Sequence, residues 1–161
     1  MTLYHRCFYF GIGSYDANGL LLTATDENRN SYAYTYDKNG NVLTTTDPLG
    51  GVVANEYDAL GRVVKVTDQA GGITSTIYDA GGNIIQTTDP EGNQTKYTYD
   101  ALGRVATVTD PNGGITTTAY DANGNTASIT NADGGIITYE YDKLDRLVKT
   151  TDAEGNTTTY T

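Results

Sequence analysis

The dipeptide Tyr-Asp returns every 21 residues without slippage: Tyr15-Asp16, Tyr36-Asp37, Tyr57-Asp58, Tyr78-Asp79, Tyr99-Asp100, Tyr120-Asp121 and Tyr141-Asp142. A fixed period of this size marks a repeat architecture, in which each unit buries its surfaces only against its neighbours. Four residues after each Tyr comes glycine (Gly19, Gly40, Gly61, Gly82, Gly103 and Gly124), replaced by Asp145 in the last copy. Ten residues after each Tyr comes Thr, from Thr25 to Thr151, and Asp follows it except at Asn131. Fourteen residues after each Tyr comes a second glycine, replaced by Arg29 in the first copy.

Each unit divides into two turns and two strands. Asp37-Lys38-Asn39-Gly40 and Asp47-Pro48-Leu49-Gly50 are turn signals, with strand candidates 41–46 and 51–57 after them. Asp at the first turn position accepts backbone hydrogen bonds, and Gly at the last supplies a positive φ. The only prolines, Pro48, Pro90 and Pro111, all stand at a second turn position. Such turns close hairpins through a bulge at the glycine. The expectation is therefore an all-β chain of tandem antiparallel hairpins, about fourteen strands in all, with no helical periodicity. Fourteen strands would span ~65 Å if flat, so the sheet should twist and curl. Its open edges invite pairing with further repeats or other copies.

The period is odd, and this imposes a test. A one-residue change of register moves every side chain to the opposite face. Equivalent tyrosines can share a face only if the two turns differ by one residue in register, one of them bulged. We expect that difference. We also expect the Tyr face, extended by Tyr34, Tyr97 and Tyr139, to be the packed one, each buried ring contributing ~1.5–3 kcal/mol while its hydroxyl still needs a partner. Adjacent apolar pairs such as Val63-Val64 and Ile84-Ile85 place apolar groups on both faces.

Composition narrows the function. The net charge is −10, which disfavours nucleic acid and anionic membranes. No apolar run approaches the ~20 residues of a membrane span. One Cys and one His allow neither an internal disulfide nor a Cys- or His-based metal set. No enzyme activity, cofactor or metal is expected. His5 and Cys7 lie in the 1–14 segment, which precedes the repeat array of 15–161 and does not follow its pattern; nothing else in the sequence orients the two as a reactive pair. No signal peptide is recognisable there. Segments 37–41 and 121–125 share the opening of a calcium loop, but position twelve is Pro48 or Ala132 rather than Glu. Asn93 and Asn156 head glycosylation sequons and also follow a turn glycine. Arg62, Arg104 and Arg146 recur beside the first turn, placed to pair with Asp or to stack on Tyr. Asp58 and Asp100 are not a catalytic pair, because equivalent copies line the whole array.

The stretches YDALGRVVKVTDQAGGIT (57–74) and YDALGRVATVTDPNGGIT (99–116) resemble the RHS, or YD-repeat, family, and the resemblance runs from Tyr15 to Thr161. It implies a β-hairpin sheet spiralling into a hollow shell that, in bacterial polymorphic toxins and insecticidal toxin complexes, encloses a toxin segment. In animal teneurins a similar barrel belongs to an adhesion receptor, and carbohydrate binding has been proposed for the repeats. The resemblance thus implies a secreted or cell-surface parent, with an enclosed toxin as partner or, alternatively, a glycan. Seven units are too few, on this resemblance, to close a cavity, and no shell-plugging core segment is recognisable. Thr161 stands one residue before the next expected Tyr, as in a piece of a longer array.

Overall fold

A computed structural model describes residues 12–161; most of the non-repeat segment, with His5 and Cys7, lies outside the described residues. Among them are fifteen strands and no helix. They are β1 (Ile12–Tyr15), β2 (Leu21–Thr25), β3 (Ser31–Tyr36), β4 (Val42–Thr46), β5 (Val52–Tyr57), β6 (Val63–Thr67), β7 (Ile73–Tyr78) and β8 (Ile84–Thr88). They continue as β9 (Gln94–Tyr99), β10 (Val105–Thr109), β11 (Ile115–Tyr120), β12 (Thr126–Thr130), β13 (Ile136–Tyr141), β14 (Leu147–Thr151) and β15 (Thr157–Thr159). The described residues form two units, one up to Ser75 and one from Thr76, with the boundary inside β7. Within each unit, strands pair antiparallel in sequence order, as meanders of hairpins do. The extra strand beyond fourteen is β1, which pairs with β2 as Ile12↔Thr25. Hairpin structure thus reaches three residues into the segment that sequence pattern excludes, because pairing is made by backbone and not by repeat side chains.

Both turns have the same local form. Asp37 N–H donates to the Asn41 carbonyl (2.9 Å), and Gly40 N–H donates to the Asp37 carbonyl (3.1 Å). Asp47, Gly50 and Gly51 repeat the pattern, and Gly40 and Gly50 share a φ of 86°. The register difference arises one step further on. Thr44↔Ala54, Thr45↔Val53 and Thr46↔Val52 run straight into their turn. Across the Tyr-Asp turn, Thr35↔Thr44 is followed by Tyr36↔Val42, leaving Leu43 as an extra residue. Glu56↔Lys65 followed by Tyr57↔Val63 leaves Val64 extra in the same way. The adjacent apolar pair Val63-Val64 is therefore a bulge, two residues opposing one.

With the bulge in place, the tyrosines share a face. In the first unit Tyr34 lies opposite Thr45, Thr45 opposite Val53, and Tyr57 is four residues along β5 from Val53. In the second, Tyr97 leads through Val108 and Thr116 to Tyr120, and through Ile129 and Ile137 to Tyr141. Strands β9, β11 and β13 alternate exposed and half-buried residues, the half-buried set being the Tyr side. Burial stops at half, however: among the described residues only Ala24 is fully buried. Within each unit the described residues form a single layer with no second layer over the tyrosines, so the expected burial of whole rings does not occur there.

Among the described residues, two occupy the left-handed region without being glycine, Arg29 (φ 66°) and Asp145 (φ 59°), the two that replace a repeat glycine. Neighbouring bonds hold the turn, and the side chain bears about 1–2 kcal/mol of strain. Arg29→Gly is expected to raise the unfolding free energy by about 0.5–1 kcal/mol in a urea titration. Asp145→Gly should gain less, because Asp145 Oδ1 accepts amide hydrogens from Asn123 (2.9 Å) and Asn125 (2.8 Å).

Candidate functional site

The Tyr-Asp elements form the one recurrent constellation of polar and aromatic groups. Strands β3, β5, β9, β11 and β13 each end in a Tyr that reaches the start of the preceding strand. The hydroxyls of Tyr36, Tyr57, Tyr99, Tyr120 and Tyr141 donate to the carbonyls of Leu21, Val42, Ile84, Val105 and Thr126, at 2.7 to 3.1 Å. These carbonyls belong to the first residue of each bulged strand. On the β5 side, paired residues of β4 reach only to Thr44, so Val42 lies beyond the ladder and the phenol supplies its partner. Asn55 Nδ2 adds a second donor to Val42 at 3.1 Å. The hydroxyl that sequence leaves without a partner thus satisfies the carbonyl that the bulge frees.

Most turn Asp residues act through both oxygens, while Asp16, Asp68 and Asp110 accept through Oδ1. Oδ1 of Asp37 accepts the N–H groups of Asn39 (2.8 Å) and Asn41 (2.9 Å). Oδ2 accepts the Asn41 side-chain amide at 2.9 Å. At Asp58, Asp100 and Asp142 the side-chain donor is Arg62, Arg104 or Arg146, through Nε at 2.7 Å and Nη2 at 2.6 to 2.7 Å. Arg104 also lies over the Tyr120 ring, its guanidinium carbon 4.1 Å from the centroid, so pairing and stacking coexist there. Asn93 and Asn156, the sequon residues, donate their amide nitrogens to Asp89 (2.8 Å) and Asp152 (2.9 Å).

These bonds stabilise charged carboxylates. The Asn41 side chain, and then its backbone N–H, hold Asp37 below the usual carboxylate range. For Asp58 the leading cause is the Arg62 N–H, with burial opposing it; for Asp142 it is the Arg146 side chain. All of these groups are in contact with water, so each contributes modestly.

Exposed faces and rims carry features that the motif search misses. On the face away from the tyrosines, the residue before each Tyr meets the one eight after it. These pairs are Glu56–Lys65 and Glu140–Lys149 (both 2.7 Å), Thr35–Thr44 (2.6 Å), Thr98–Thr107 (2.7 Å) and Ser14–Thr23 (2.6 Å). Comparing copies would have found this signal, because both partners change together. An open groove of about 470 Å³ lies between the first two Tyr-Asp turns, lined by Asn18, Leu22, Tyr36, Lys38 and Asn39 among others. Among the described residues, Asp16 to Asp142 and Gly19 to Gly124 stand in the turns, Tyr36, Tyr57, Tyr99, Tyr120 and Tyr141 hold backbone carbonyls, and Tyr15 is the most exposed aromatic at 63 %.

Two outcomes test this geometry. Tyr57→Phe or Tyr120→Phe should lower unfolding free energy by about 0.5–1.5 kcal/mol and speed amide exchange at the bulge it caps. Because the folded state lowers the Asp pKa values, their contribution is complete above the ordinary carboxylate pKa near 4 and lost as pH falls below it. Unfolding free energy measured against pH should therefore fall progressively below about pH 4; an unchanged value there would contradict the turn assignment.

Comparison with known proteins places this geometry. Residues 15–52, 57–93, 78–115 and 120–161 match the RHS Repeat family. The fold is similar to part of the crystal structure of TcdB2-TccC3-Cdc42, with a TM-score of 0.70 at 21 % identity over 86 % of this chain. It is similar also to part of the Photorhabdus luminescens Tc holotoxin pore carrying a TccC3 mutation, with a TM-score of 0.72 at 20 % identity over 92 %. The match covers 9 % of each of those chains, so this chain spans about a tenth of their length. No curated protein is significantly similar in sequence. The chain belongs to the RHS repeat family.

Proposed function

We propose that this chain is a non-catalytic wall segment of an RHS-type protein, its repeats forming part of a shell around another polypeptide. The observation that carries the reading is the difference between the two faces within each unit. One face bears half-buried tyrosines locked to backbone carbonyls. The other bears Thr, Ser and Glu–Lys pairs with exposed Ile73 in the first unit and Ile115 and Ile136 in the second. A wall between solvent and contents needs two such surfaces, whereas a catalyst needs one differentiated group of residues, and the repeat multiplies every group. A bacterial toxin as the enclosed polypeptide, and a secreted or surface-exposed parent, follow by analogy with the Tc toxin neighbours; no helix among the described residues is long and apolar enough to cross a membrane.

The test is the complete product of the parent gene, imaged by electron cryomicroscopy and treated with protease. A hollow wall containing a protease-resistant polypeptide is expected. An open array with nothing enclosed would overturn the reading, as would saturable glycan binding that substitution of exposed aromatics abolishes.

A further inference from the structure

Four asparagines precede a turn glycine: Asn18, Asn39, Asn112 and Asn123. The last two lie in the second unit, in matching main-chain settings. Gly113 N–H donates to the Asp110 carbonyl (3.0 Å), and Gly124 N–H donates to the Asp121 carbonyl (3.1 Å). The N–H groups of Asn112 and Asn123 donate to Oδ1 of the same two aspartates, at 2.8 and 2.9 Å. Both Asn-Gly pairs are exposed. Only the side chains differ. Asn123 Nδ2 donates to Asp145 Oδ1 at 2.9 Å, whereas the Asn112 carboxamide has no hydrogen-bond partner among the described residues.

An asparagine before glycine is prone to ring closure, because no Cβ hinders the approach of the glycine nitrogen. We propose that Asn112 is a site of spontaneous deamidation and that Asp145 shields Asn123 from the same reaction. The Gly113 nitrogen gives up its proton to water and bonds to Asn112 Cγ. The bond from Cγ to Nδ2 breaks, and the nitrogen takes up a proton and leaves as ammonia. Water then opens the succinimide ring at one of its two carbonyls. One product is aspartate. The other is isoaspartate, whose main chain runs through Cβ and Cγ and so gains an atom. At both sites the glycine N–H must first leave its turn carbonyl, so folding slows both. At Asn123 the carboxamide must also break its bond to Asp145 before Cγ turns toward the Gly124 nitrogen.

The array already accommodates the first product. Asp133 stands 21 residues after Asn112, at the same position of the next turn, and its Oδ1 accepts the Gly135 N–H at 3.0 Å. Isoaspartate does not fit in this way. Its extra atom falls between Asp110 and Gly113, whose hydrogen bond closes the turn between β10 and β11. This chemistry is independent of what the sheet encloses.

The test is the folded 161-residue chain, aged in mildly alkaline buffer and mapped by peptide fragmentation in a mass spectrometer. Digestion in water enriched in the heavy oxygen isotope marks any conversion that occurs during handling. Asn112 is expected to convert roughly 5- to 10-fold faster than Asn123, the effect of about one hydrogen bond. In concentrated urea the two should convert at similar rates. Asp145→Gly removes the acceptor and restores the repeat glycine. In that variant the Asn123 rate should rise to that of Asn112, with Asn112 unchanged and the circular dichroism spectrum retained. Arg104, which lies near Gly124, is the same in both chains. No conversion at Asn112, equal rates at the two sites in the folded chain, a rate ratio that persists in urea, or an Asn123 rate unmoved by Asp145→Gly would overturn the proposal.

Discussion

An odd repeat can set equivalent side chains on one face only if each period holds one residue out of register. Here that residue is the bulge on the strand after the Tyr-Asp turn, Leu43 and Val64 in the first unit and Ala106, Ala127 and Val148 in the second. Removing it would turn each successive hairpin over, and no ladder of tyrosines could exist. The bulge in turn frees a backbone carbonyl from the ladder. The tyrosine of the next unit takes that carbonyl, so the irregularity that permits the repeat also supplies its link between neighbours.

This linkage matters because the sheet has so little core. With one fully buried side chain among the described residues, hydrophobic burial per unit is small, and half-buried rings contribute part of their transfer free energy at most. Cohesion comes instead from many short-range terms repeated in each copy: ladder bonds, a phenol on a carbonyl, and a carboxylate organising each turn. Such an array gains stability neighbour by neighbour rather than all at once.

Much of this was legible in the sequence. Asp and Gly at fixed offsets gave the turns, the period gave the strand order, and parity required a bulge on one turn of the two. Location was harder. Both turns carry the same Asp-to-Gly geometry, so nothing in Asp37–Gly40 or Asp47–Gly50 marks which hairpin is bulged; apolar doublets do not either, because Val63-Val64 stands at a bulge while Val52-Val53 pairs straight into its turn. The tyrosine's acceptor was hidden because it is a backbone carbonyl, which has no residue type. Burial was overestimated because aromatic periodicity reports which side chains share a face, not whether a second layer covers them.

Position-by-position variation follows the same logic. The residue four after each turn Asp is Arg62, Arg104 or Arg146 in some copies and Asn30, Asn41, Asn83, Asn93, Asn125 or Asn156 in others. Arg and Asn share neither size nor charge, but each places an N–H donor against the free Oδ2 of its own Asp. At Gly51 the oxygen finds a donor elsewhere: Asp47 Oδ2 accepts from Gln69, one turn further along, at 2.8 Å. Asp145 shows the converse, a side chain in a glycine position held by donors from the previous turn. The Asn and Arg copies share a donor for a carboxylate whose other oxygen already holds the turn; Leu20, Gly72 and Gly114 bring none and keep the same turn, so the backbone N–H groups on Oδ1 suffice for its geometry.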